Sequence, residues 1–348
     1  MITLLKKFAN RSKVAIIAYT VFQNWRARRR FLSGKIESTS GSTHAGKTLE
    51  ESLAYIDAVF DDYIKYSGIS PEMIEGKRIL EIGPGDNFGV ALKFISAGAA
   101  QVVCLDKFYS PHDAAQEYAI YKTLRGRLDG ESGRRFDEAV DLGDGIRING
   151  ERLKVVYGKG IEDAKGLFGE ASFDLILSRA VLEYLTDSDF AFSVMNDLLS
   201  PGGMMAHKID LRDDEMFSGK GMNPLTFLTI PDSIYRLMTV GSGRCNRRLI
   251  NYYRRTMNEL AYDTRFFVTC VVGEKGELLP HKEKIIPTVD YSERAHSIVN
   301  EIRSRLHGDY KNLTDEDLLV SGIFLVAKKP EEANAAKEPL SSFEAMAM

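Results

Sequence analysis

Residues 78–89 read Arg78-Ile79-Leu80-Glu81-Ile82-Gly83-Pro84-Gly85-Asp86-Asn87-Phe88-Gly89, and their order decides the fold. A short apolar run ends in a glycine-rich turn, and a helical pattern over residues 90–97 follows. That is the sequence form of a buried parallel strand entering a helix through a tight loop. Gly83 and Gly85 lack a Cβ, so the backbone can take positive φ and a ligand can come close. The helix behind them offers unpaired N–H groups, which favour polar or anionic ligand atoms. The stretch therefore predicts a site for a nucleotide-like cofactor.

The glycine spacing is G-x-G-x-x-x-G, one residue longer than a dinucleotide fingerprint, and an acid, Glu81, stands two positions before the first glycine. Residues 101–106 form a second apolar run ending in Asp106, about 20 residues beyond the turn, where a carboxylate can accept both hydrogen bonds of a ribose diol. A third run, residues 153–157, leads into Gly158-Lys159-Gly160-Ile161-Glu162-Asp163. A fourth, residues 173–178, runs straight into Arg179-Ala180-Val181-Leu182-Glu183-Tyr184-Leu185. Leu199-Ser200-Pro201-Gly202-Gly203 then stops a helix before a fifth strand at 204–209.

Leu80-Glu81-Ile82-Gly83-Pro84-Gly85-Asp86 resembles the first motif of class I S-adenosylmethionine-dependent methyltransferases. With Asp106 and Leu-x-Pro-Gly-Gly in the same order, the resemblance covers about residues 48–328. It implies an α/β, Rossmann-like class I methyltransferase fold: a seven-stranded, mostly parallel sheet with helices on both faces and an insertion covering the site. It implies S-adenosyl-L-methionine as cofactor, with Glu81, Gly83 and Gly85 at its methionine end and Asp106 on its ribose. Ile161 and Glu162 would border adenine, although Glu162-Asp163 also reads as a helix N-cap. Ser178 would lie at the floor under the methionine, and Arg179, Glu183 and Tyr184 would face the acceptor. Many relatives carry Glu-His where this chain has Glu183-Tyr184, so a histidine base is not expected there.

Beyond the fifth strand comes His207-Lys208-Ile209-Asp210-Leu211-Arg212-Asp213-Asp214. His207 is a candidate general base because an imidazole titrates near neutrality, with Asp210 as a second catalytic candidate. The alternative for His207 is a hydrogen-bonded core residue of the strand. Arg212 and Asp213 are candidates for the substrate side, and no metal-ligand set is visible. This stretch, together with Asn223-Pro224-Leu225-Thr226-Phe227-Leu228, resembles a bacterial methyltransferase subgroup associated with surface-polysaccharide and glycan gene sets. The expected reaction is O-methylation of a sugar or another small hydroxylated metabolite. Two rivals stand beside it: a catalytically silent binding module on the same fold, and an NAD-dependent oxidoreductase.

Charge is unevenly spread over the 348 residues. The first 36 hold nine of the 46 Lys/Arg and none of the 49 acidic residues. The body is therefore acidic, which argues against a nucleic-acid partner. Residues 1–36 read as a basic amphipathic segment with three readings: a helix packed on the domain, a helix lying on an anionic membrane surface, or an Arg-rich targeting peptide. The apolar run at 14–22 is too short to span a bilayer. Residues 37–46 read as a linker, 47–328 as the catalytic domain with insertions at 211–262 and 274–317, and 329–348 as a disordered tail. Cys104, Cys245 and Cys270 are widely spaced, which fits a reducing, cytoplasmic setting, peripheral to the inner membrane face under the second reading of the N-terminus.

Overall fold

Strand β1, Arg78–Ile82, is buried on both faces from Ile79 onward, as a central parallel strand must be, and it pairs in parallel with β2 (Gln101–Asp106) on one side and β4 (Phe173–Arg179) on the other. The computed structural model describes residues 12–38, 41–241 and 243–331. Residues 1–11 of the basic segment, 39–40 of the linker and the expected tail from 332 onward lie outside the described residues. With β3 (Leu153–Tyr157), β5 (Leu199–Asp210), β6 (Asp263–Val271) and β7 (Val320–Lys328), the sheet runs β3-β2-β1-β4-β5-β7-β6. The strands from β3 to β5 are parallel, and β7 lies antiparallel between β5 and β6. This is the class I methyltransferase fold expected from the sequence. Strand order reverses between β1 and β4, which opens a crevice beyond their carboxyl ends.

Alternate residues of each strand serve opposite cores. Ile79, Val102, Leu177 and Phe324 face one layer with α2 (Leu49–Ser67), α3 (Gly89–Ser96), α4 (Ala114–Gly126) and α5 (Gly130–Ala139). Leu80, Val103, Ile176 and Met205 face the other, with α6 (Ser188–Leu198) and the insertion helices. Thr48 and Glu51 form a capping box at the start of α2, and Gly68 ends the helix in the left-handed conformation. A short hairpin turns around Gly143-Asp144-Gly145, with Val140 opposite Ile148.

The basic N-terminal segment contains helix α1, Lys13–Leu32, which buries Ile16, Thr20 and Asn24. It packs on α7 (Asp232–Thr239), where the Asn24 amide donates to the carbonyls of Leu237 (2.9 Å) and Val240 (3.3 Å). Among the described residues no helix is long and apolar enough to cross a membrane.

In the insertion, Arg254 and Arg255 lie on α8 (Ile250–Glu259), whereas Arg247 and Arg248 precede it. Arg247 is buried between the rings of Tyr235 (4.1 Å) and Tyr310 (5.1 Å), and donates to the carbonyls of Phe227 and Ile230. Its guanidinium is used to join the two insertions.

Helix α2 is tied to the sheet at Asp62, whose carboxylate meets Arg179 (2.8 Å) from β4 and Lys208 (3.5 Å) from β5; Lys208 also pairs with Glu277 (2.6 Å). Asp62→Ala should destabilise the fold by about 2 kcal/mol, less than the roughly 3–5 kcal/mol of a fully buried pair because Glu277 still holds Lys208. Urea unfolding checks this, and a loss no larger than that of a surface pair would remove Asp62 as the tie.

Candidate active site

The glycine loop that follows β1 is compressed from both sides. Gly83 and Gly85 have φ of 72° and 76°, in the left-handed region. A Cβ on Gly83 would stand 2.4 Å from a methyl of Val181, and one on Gly85 would stand 2.6 Å from the carbonyl oxygen of Gly41. Val181 reaches the loop because Ala180, at the end of β4, turns the chain back at φ 54°, a non-glycine conformation that stores roughly 1–2 kcal/mol of strain.

Gly41 is held from the other side by Asp86. The Asp86 carboxylate accepts three successive backbone N–H groups, from Thr43 (3.1 Å), His44 (3.0 Å) and Ala45 (3.2 Å). The N–H of Asp86 donates back to the carbonyl of Gly41 (3.2 Å). Gln116 adds bonds to the carbonyls of His44 (3.0 Å) and Lys47 (2.9 Å). Residues 41–47, all but the last of which composition reads as flexible linker, thus form a strap over the glycine loop.

Two hollows flank this strap. The larger, about 470 Å³, is lined by Gly83, Gly85, Asp106, Ile161, Glu162 and Tyr184 and falls in the size range of small-molecule sites. The smaller, about 110 Å³, is lined by Thr43, His44, Tyr55, Glu81, Asn87 and Arg179. Gly41, Gly83, Gly85 and Ala180 border both. A more spacious apolar hollow of about 590 Å³ around Phe60, Leu124 and Phe136 contains none of the motif residues.

The carboxylates in the two hollows are electrostatically unusual. Burial pushes Asp106 up to about 6, against the backbone N–H groups of Phe108 (2.9 Å) and Gly85 that hold it down. Burial also pushes Glu81 up to about 7; the Cys104 thiol (3.5 Å) opposes the rise and the charge of Asp106 adds to it. Among the described residues no cation is paired with Glu81, so a ligand ammonium would find an uncompensated buried acid there. The donor set fits an amino acid joined to a nucleoside. Glu81 and Arg179 flank the smaller hollow, and Asp106, Ile161 and Glu162 line the larger.

Other candidates lie elsewhere. His207 is fully buried, its Nδ1 2.7 Å from the Ser178 hydroxyl, and burial pushes its pKa down to about 3. It lines neither hollow, and its Nε2 has no hydrogen-bond partner among the described residues. Ser178 is likewise buried against His207 and lines neither hollow. Asp210 is engaged by the N–H (2.9 Å) and Nε (2.9 Å) of Arg212, whose side chain points to solvent. Asp213 is buried and caps the N–H groups of Phe217 (2.7 Å) and Ser218 (2.8 Å). Glu183 turns into the interior, where burial holds its carboxyl well above the usual range. Of the residues expected to face the acceptor, Tyr184 alone lines the larger hollow, and Arg179 moves to the Glu81 side.

Sequence reasoning missed several wall residues, from α1 and the turn after it, the strap, α2 and the loop after β2. Arg30, Phe31, Lys35 and Phe108 wall the larger hollow, and Thr43, His44 and Tyr55 wall the smaller. Position just before the Thr48 cap was the available signal for His44. The strap's dependence on Asp86 is testable. Asp86→Ala should release residues 41–47, so that trypsin cuts after Lys47 at least about tenfold faster, reflecting loss of roughly 1.5–3 kcal/mol of charge-assisted bonding. Unchanged cleavage would mean that the strap is held by other contacts.

The methyltransferase-domain family model matches residues 23–266. No curated protein matches the chain in sequence. Among solved structures, YcgJ from Bacillus subtilis is similar at 12% identity and a TM-score of 0.40, covering 78% of this chain and 98% of that one. An S-adenosylmethionine-dependent methyltransferase from Mesorhizobium loti is similar at 12% identity and a TM-score of 0.38, covering 79% and 100%. Phosphoethanolamine N-methyltransferase 2 of Haemonchus contortus is similar at 16% identity and a TM-score of 0.40, covering 78% and 52%. The family match spans more than half of the sequence, and the chain belongs to the methyltransferase-domain family.

Proposed function

We propose that this methyltransferase, whose cofactor is S-adenosylmethionine, methylates a hydroxyl oxygen of a sugar or another small hydroxylated metabolite. One observation carries the acceptor class. The larger hollow combines flat rings with hydrogen-bond donors: Phe31 and Phe108 meet edge to face at 5.6 Å, and Arg30, Lys35, Lys107 and Tyr184 stand around them. Rings that cover sugar C–H faces, beside charged and phenolic donors, suit a polyhydroxylated molecule, especially one with an anionic group. The resemblance of residues 207–213 and 223–228 to the glycan-associated subgroup points the same way.

When bound, S-adenosylmethionine supplies a methyl group activated by its sulfonium. The chain's own residues bind and orient. Glu81 takes the ammonium and Arg179 the carboxylate, Gly83 and Gly85 admit the backbone-close part, Asp106 accepts from the ribose hydroxyls, and Ile161 and Glu162 border the base. The strap and Val181 exclude water from the loop between the two hollows. Positioning and desolvation then provide most of the rate enhancement. The antiparallel β7–β6 edge and the family match leave the oxidoreductase and silent-module readings without support.

Calorimetry with S-adenosylhomocysteine tests the cofactor assignment. Micromolar binding is expected, weakened roughly 10- to 100-fold in Asp106→Ala by loss of bonds to a charged acceptor. No binding by the folded protein would overturn the reading. Methyl transfer to a panel of sugars and sugar phosphates, read as a mass increase of one methyl group, tests the acceptor; transfer only to amines would overturn that part.

The pH dependence has a defined sign. Glu81 is raised from 4.5 to about 7, so the ligand-free protein binds a proton that the unfolded chain does not. Its contribution to stability is therefore lost as pH rises through that window. A ligand ammonium favours the ionised acid, so S-adenosylhomocysteine should bind more tightly as pH rises through about 7 and should release a proton on binding. Titrations in buffers of different ionisation enthalpy read that proton. Proton uptake would contradict the pairing.

A further inference from the structure

Helix α1 has two faces, and packing on the domain uses only one of them. Ile16, Thr20 and Asn24 point inward, and Ala27 and Phe31 continue that face into the wall of the larger hollow. On the opposite side Val14, Phe22, Trp25 and Leu32 follow one another at helical spacing and are exposed by 75%, 51%, 52% and 75%. Such a stripe is what an ordinary surface helix lacks.

The charges around the stripe are all of one sign. Arg26, Arg28, Arg29 and Arg30 are exposed, and the first 36 residues contain no acid at all. Phe22 and Trp25 stack at 6.1 Å, and the guanidinium groups of Arg26 and Arg29 lie over their rings at 5.8 Å and 4.8 Å. The body of the protein is acidic, so the cationic face is also the one that an anionic surface would attract while repelling the rest.

We propose that the outer face of α1 docks this protein on an anionic lipid bilayer. The rings and aliphatic side chains enter the interface between headgroups and acyl chains, and the arginines remain on the lipid phosphates. The packed and the membrane-facing readings of this segment are then properties of its two sides. Because the same helix walls the larger hollow, docking holds that hollow next to the bilayer. The proposal does not depend on the methyltransferase reading.

Trp25 is the chain's sole tryptophan, so its fluorescence reports on this face alone. The full chain is titrated with vesicles of phosphatidylcholine, with and without phosphatidylglycerol. With the anionic lipid, Trp25 emission should shift to the blue and be quenched by brominated acyl chains, and both effects should weaken as salt is added. Phe22→Ser with Trp25→Ser, and separately Arg26→Glu with Arg29→Glu, should each lower vesicle co-sedimentation at least about tenfold, leaving thermal unfolding and S-adenosylhomocysteine binding unchanged. No spectral change with anionic vesicles, or equal binding to neutral ones, overturns the proposal. So does a Trp25 blue shift that depends on protein concentration without lipid, because a second copy of the chain would then cover the face.

Discussion

Three backbone N–H groups converge on the carboxylate of Asp86, and the shape of the site depends on that convergence. The bonds bring residues 41–47 over the glycine loop, so that Gly41 touches Gly85 and divides one crevice into two hollows. The loop can accept this only because it carries glycine at both positions of close approach. Val181 presses on Gly83 from the β4 side while Gly41 presses on Gly85 from the other. One carboxylate thus converts a loop of permissive backbone into a shaped cleft.

Electrostatics follows from the same arrangement. Glu81 and Asp106 end up on neighbouring strands at the crevice floor, both desolvated, and the charge of Asp106 makes ionisation of Glu81 harder still. A soluble protein without a ligand for this site would gain little from two such acids. A cofactor with a cationic amino group and a ribose diol relieves both. Arg179, which borders the same hollow as Glu81, is itself oriented by Asp62 on α2.

Much of this was legible in the sequence for a physical reason. Buried parallel strands must be apolar throughout, and a loop approached by ligand and backbone alike must be glycine, so β1, β2, β4 and the Gly83–Gly85 turn were visible. Asp106 was visible because a strand-end carboxylate at that distance from the turn is rarely needed by the core. The strap was invisible, because its bonds come from backbone N–H groups and Gly, Ser and Thr read as a linker. The depth of His207 was invisible because residue type does not reveal it: the ring sits wholly inside, its Nδ1 on Ser178 and its Nε2 without a partner among the described residues. The places of Asp213 and Arg247 were equally invisible, since their charges serve a loop cap and a ring stack in the insertion.

The central claim is that the cofactor lies across the glycine loop beneath the strap. Amide hydrogen exchange with and without S-adenosylhomocysteine measures this most directly. The account predicts slower exchange on ligand binding in residues 41–47 and 83–87 together, with the hollow around Phe60 and Phe136 unchanged. Protection confined to that apolar hollow, or absent from the strap and the loop alike, would contradict it.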